Sequence, residues 1–166
     1  MSGALAMATP RPGDVIRYRY LWAKEAADGY EAKIARPCVV LQASPVGDRV
    51  EVVVLPLTHE PQHDSKWMTV PAEIRRQAGL DDYASYIVYS EANSFLWPSW
   101  DVIPVKERKS SALVRGRLAH GFYSGVRHVW DLQRSQGKAQ IVDRAKLDEA
   151  NVDQWRKRRL SRASER

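Results

Sequence analysis

Apolar residues concentrate in one stretch, ARPCVVLQASPVGDRVEVVVLPLTHE over 35–60, which holds two short runs, Cys38 to Leu41 and Val50 to Leu55. Valine repeated in short blocks between Pro and Gly predicts buried strands, because a branched side chain packs well on a pleated surface. The polar segment between the runs, with Pro45, Gly47 and Asp48, predicts a hairpin. Polar groups close both ends: Arg36-Pro37 opens the first run, and Thr58-His59-Glu60 follows Pro56 after the second. A hairpin with Arg and Thr/His at neighbouring edges frames a small anion site.

Upstream, Gly13-Asp14 predicts a turn into Val15–Tyr20, where alternation sets Ile16, Tyr18 and Tyr20 on one face and Val15, Arg17 and Arg19 on the other. Trp22 to Ile34 is mixed and charged and predicts a long loop with at most a helical turn. Downstream, Trp67–Val70 and Tyr86–Tyr89 predict short strands. Between them, Pro71, Glu73 and Gly79 bracket a short helix, Ala72–Ala78. Asp101–Val105 predicts extended chain, and Ala112–Leu118 a last strand interrupted by Gly116. A helix follows over about Phe122–Gln136, with Val126, Val129 and Trp130 on one face. A final helix, about Lys146–Leu160, offers too narrow an apolar stripe to pack well. Short strands, small helices and no βαβ alternation predict a mainly β fold, a small, partly closed β-barrel with helical decoration.

Length and charge refine this picture. A chain of 166 residues predicts one domain with an appendage. We divide it into a flexible N-terminus (1–11), a barrel domain (12–136) and a basic helical tail (137–166). The net charge is +6, but the residues from Arg144 onward contribute eight Lys/Arg against four Asp/Glu. The body is therefore close to neutral, and bulk charge argues little about its partners. The tail beyond Arg144 is expected to be dispensable for the fold and to add nonspecific RNA affinity through Arg156 to Arg159. Cys38, the single cysteine, reads as a small buried hydrophobe in a reducing compartment. No signal-peptide pattern and no run of about 20 apolar residues occurs, so we expect a cytoplasmic protein with no membrane span.

In order and spacing, three pieces resemble the PemK/MazF toxin family of bacterial toxin–antitoxin systems. They are Pro12-Gly13-Asp14-Val15-Ile16, Arg36-Pro37-Cys38-Val39-Val40 and Val54-Leu55-Pro56-Leu57-Thr58, followed by Gly116-Arg117-Leu118 leading into the Phe122 helix. The resemblance covers about Pro12 to Gln136. It implies an SH3-like barrel, a homodimer, metal-free cleavage of single-stranded RNA and a cognate antitoxin as partner; no cofactor is implied. It also implies an active-site pair, Arg36 and Thr58.

Such cleavage needs activation of the ribose 2′-OH, charge stabilisation at the phosphorane and a proton for the leaving oxygen. The guanidinium fork of Arg36 suits the second task. His59 is a candidate proton shuttle, since an imidazole ordinarily titrates near neutrality. With His63 it makes a poor metal pair, lacking a third ligand, so no metal is expected. Trp22 is the candidate for stacking a base. Glu91 and Asn93 fall where many family members carry an acidic residue followed by a basic one. Ser94 and Phe95 stand where that cation is expected, leaving Arg17 and Arg19 to supply it. Phe95 and Trp97 read as core or dimer interface. Two other functions fit the same barrel: a protein-directed toxin resembling gyrase poisons, working through the Phe122–Gln136 helix, and a non-catalytic binding module.

Overall fold

The computed structural model describes residues 9–63, 65–105 and 112–147. The predicted hairpin is its centre. Strand β1 (Asp14–Arg19), strand β2 (Ala35–Val46) and strand β3 (Arg49–Thr58) lie side by side in one antiparallel sheet. Val46 pairs with Arg49, so Gly47 and Asp48 form a two-residue turn. Gly47 supplies the positive φ of +63° that such a turn asks of its first residue.

Both faces of these strands are buried, which explains why their Val runs do not alternate with polar residues. One face carries Val15, Val39, Leu41, Val53 and Leu55. The helix α3 (His120–Ser135) covers it with Val126 and Trp130, two of the three residues expected on its buried side. The other face carries Ile16, Tyr18, Cys38, Val40, Val52 and Val54 against Phe95 and Trp97. Phe95 stacks on Tyr18 with ring centroids 4.4 Å apart, so Phe95 and Trp97 are core, as expected. A register shift between Val40 and Gln42 bends the long hairpin between these two layers.

Most remaining elements match the sequence pattern. They are α1 (Ala23–Ala27), β4 (Trp67–Thr69), α2 (Ala72–Gln77), β5 (Tyr86–Val88) and β7 (Val114–Arg117). Two strands escaped it: β6 (Glu91–Trp97), which pairs with β3, and β8 (Gln140–Asp143), which pairs with β6 in parallel. The eight strands run β4-β5-β3-β2-β1-β7, with β6 and β8 branching from β3, and the sheet does not close. The fold is mainly β, as expected. Beyond Gln136, β8 joins the sheet and Arg144 is buried. Of the expected Lys146–Leu160 helix, only 146 and 147 are described. Arg156 to Arg159 and residues 1–8 of the N-terminal segment lie outside the described residues. Among the described residues no helix is long and apolar enough to cross a membrane.

Two buried details fix how the sheet meets its surroundings. Asp14, almost fully buried, accepts hydrogen bonds from Arg117 Nε (2.9 Å) and the Arg11 amide (2.7 Å), tying β1 to β7. Gly116 lies against the Ala78 carbonyl, where a Cβ would have no room. That close approach docks the end of α2, and the loop after it, onto β7.

Cys38 is fully buried among Val and Tyr side chains. Burial pushes its thiol pKa far up, with the Arg36 charge opposing weakly. The unfolded thiol loses its proton from about pH 8.5 upward while the folded one keeps it, so stability is fully present below that pH and falls above it. One pH unit higher the loss should reach about 1.4 kcal/mol. Urea melts between pH 7 and 9.5 should show this decline, and Cys38→Ala, though less stable at pH 7, should lack it. Tyr20, raised by burial and then by the Glu91 carboxylate, should add a further decline only at more alkaline pH.

Candidate functional site

Arg36 enters β2 beside Pro37, which holds it extended. Tyr18 pairs with Arg36, Arg17 with Pro37, and Cys38 with Pro56. Carried two residues further, the Cys38–Pro56 register sets Thr58 opposite Arg36, on the face shared by Tyr18 and Cys38. The expected pair therefore stands at one end of the sheet.

A cavity of about 610 Å³ opens there, lined by Arg17, Arg36, Thr58 and His59 together with Asp81 and Arg115. The first four were expected from the sequence; Asp81 and Arg115 were not. The Arg36 guanidinium lies over the Trp22 ring, 5.0 Å from its centroid, a contact that holds the fork in place. The ring of Trp22 also packs edge-on against Tyr20. Trp22 thus supports Arg36 from behind and is not among the residues lining the cavity.

The cavity is rich in unspent positive charge. The Nε atoms of Arg36 and Arg115 are buried without a hydrogen-bond partner. Among the described residues no carboxylate pairs with Arg17, Arg36 or Arg115. Buried guanidinium donors are costly to leave unmet, so an anion is the natural complement.

His59 and Thr58 also line the cavity. His59 Nδ1 lies 2.7 Å from the Ala84 carbonyl and Nε2 lies 3.1 Å from Asp81 Oδ2. A carbonyl oxygen only accepts, so Nδ1 donates to it. Tyr83 meets the ring edge-on at 5.8 Å. The Thr58 hydroxyl makes long local contacts, 3.2 Å from the Glu60 amide and 3.3 Å from its carbonyl. The hydroxyl accepts from the amide and donates to the carbonyl, and that long donation is weak enough to exchange for a stronger acceptor.

Arg19, Glu91 and Asn93 stand away from this cavity. Arg19 Nη1 donates to the Trp100 carbonyl and lies 3.8 Å from Asp101. Glu91 accepts from the Tyr20 hydroxyl (3.0 Å) and the Ala23 amide (2.9 Å). Asn93, fully buried, accepts from the Leu21 amide (2.9 Å) and donates to the Leu21 carbonyl (2.8 Å). These two residues spend their polar atoms fastening the β1–α1 connection to β6. The cation missing at Ser94 and Phe95 is met at Asn93 by Arg144, whose Nη1 lies 3.3 Å from Asn93 Oδ1. Its remaining bonds go to Tyr18, Arg19 and Asp101, so it is committed to the fold.

The sequence signal for Arg115 was weak. Arg115 and Arg117 flank the same glycine, and only the pairing of Arg117 with Asp14 tells them apart. Asp81 lies in an irregular loop without local periodicity. No protein-family model matches the chain, and no curated protein matches it.

Proposed function

We propose that the chain is an SH3-like barrel of the PemK/MazF type and acts as a toxin endoribonuclease, cutting single-stranded RNA without a metal. The observation that carries this reading is one cavity lined by a threonine, a histidine and three arginines that have no carboxylate partner among the described residues. That combination matches the three needs of transesterification. In the proposed reaction the ribose 2′-oxygen attacks phosphorus and gives up its proton to a carboxylate of the lining, Asp81 or Glu60. Arg36 and the Thr58 hydroxyl take the charge that builds on the non-bridging oxygens. His59 delivers a proton to the departing 5′-oxygen, which leaves a 2′,3′-cyclic phosphate and a free 5′-hydroxyl. Atoms balance with no added reactant.

The same reading makes the protein a cytoplasmic homodimer restrained by a cognate antitoxin. Its test is incubation of the full chain with single-stranded RNA in excess chelator. Cleavage is expected, and replacing the ribose at the cut position by 2′-deoxyribose should abolish it. Cleavage that persists with the 2′-deoxy substrate would exclude 2′-oxygen attack.

A further inference from the structure

Arg115 is placed by an irregularity in the sheet. On β7, Gly116 pairs with Val15 and Val114 pairs with Ile16, so Arg115 is the extra residue of a bulge. A bulge re-aims the side chain it carries, and here that side chain lines the cavity with its Nε buried and unpartnered. β2, β1 and β7 are successive neighbours, and Arg36, Arg17 and Arg115 stand on them in that order. Neighbouring strands lie about 5 Å apart, so β7 stands about 10 Å from β2. Arg36 shares the Tyr18 face and Arg17 the opposite one, yet all three arginines line the one cavity, with Thr58 and His59 at the end of β3. Three cations drawn from three strands into one cavity fit a polyanion better than one isolated phosphate.

We infer that Arg115 binds a backbone phosphate adjacent to the scissile one, making the Arg36–Arg17–Arg115 row a track for single-stranded RNA. This rests on the ribonuclease reading for its substrate but not for its charge pattern. Arg115 is then a binding residue: it sets affinity and register while Arg36 serves the reacting phosphate.

The test uses a short 2′-O-methyl RNA oligonucleotide, which lacks the attacking hydroxyl, titrated against the full-length protein over a range of salt. Arg115→Gln is expected to weaken binding roughly tenfold at low salt. It should also flatten the dependence of log affinity on log salt by about 0.7, the value of one phosphate contact on a single strand. Arg115→Lys should restore the slope, which separates lost contact from lost folding. Arg49→Gln, on the exposed hairpin turn, should leave slope and affinity as in the wild type. On cleavable RNA, Arg115→Gln should raise KM while keeping kcat within about twofold. An Arg115→Gln protein with wild-type affinity and slope would overturn the proposal, as would an equal loss in Arg49→Gln. Arg115-dependent binding by a wild type that cleaves no RNA would support the track and end the ribonuclease reading.

Discussion

Arg36→Ala is expected to lose roughly two to three orders of magnitude in cleavage rate, the usual cost of removing one group that meets developing charge in a transition state. Arg36→Lys should fail almost as badly. A lysine keeps the charge, but it cannot present two parallel donors to a phosphate, nor lie flat on the Trp22 ring as the guanidinium does at 5.0 Å. Thr58→Ala should lower kcat more than it weakens RNA binding. Thr58 stands opposite Arg36 once the strand register is extended. Two groups serving one phosphorane are not independent, so the double variant should lose less than the two single losses added. The measurements are single-turnover cleavage and equilibrium binding for the four proteins, with thermal melts to check folding. Full activity in both single variants would remove the pair from the reaction.

The largest effect on stability is expected at Arg144. Its guanidinium donates to the Tyr18 hydroxyl (3.0 Å), the Arg19 carbonyl (2.8 Å) and Asp101 Oδ2 (2.9 Å), and lies over the Tyr18 ring. It is 5% exposed. Arg144→Ala removes one buried donor from all three acceptors and should cost about 3 kcal/mol, at the low end for breaking a buried pair because Asp101 keeps some solvent. For a chain of this size that is a fall in melting temperature of about 6–12 °C. Arg144→Lys should recover only part of it, since one ammonium cannot reach all the acceptors at once. Differential scanning calorimetry of the three proteins measures this. An unchanged midpoint in Arg144→Ala would show that the residue is a solvated part of the tail, as its sequence surroundings imply.

Sequence pattern sufficed where burial was continuous or strictly periodic. The Val blocks of β2 and β3 are buried on both faces and can be little else, and the 3- and 4-residue spacing of α3 points Val126 and Trp130 inward. β6 was harder. Its run Glu91-Ala92-Asn93-Ser94-Phe95-Leu96-Trp97 contains a buried Asn and Ser whose polarity hides the strand, and Asn93 is tolerated only because Leu21 satisfies it. β8 is four residues long, two of them polar, and pairs in parallel with a partner some fifty positions away.

The site divides in the same way. Arg17, Arg36, Thr58 and His59 belong to strands or strand ends that the hydrophobic pattern located, and they converge on one cavity. Arg115 and Asp81 enter it through a bulge and a loop, features that depend on pairing between distant segments. Glu91 and Asn93 were singled out by the resemblance, at the positions where family members carry an acidic residue followed by a basic one. Their partners, Tyr20, Ala23 and Leu21, lie about seventy residues upstream, so their role in holding the β1–α1 connection was not visible locally.

The central claim is that this chain cuts RNA through Arg36 by attack of the 2′-oxygen. Its most direct measurement is the chemistry of the new ends after single-stranded RNA is incubated with wild type and with Arg36→Ala in excess chelator. The wild type should give 2′,3′-cyclic phosphate and 5′-hydroxyl ends, and Arg36→Ala should leave the RNA nearly intact. Intact RNA with the wild type, or the same ends at the same rate with Arg36→Ala, would contradict it.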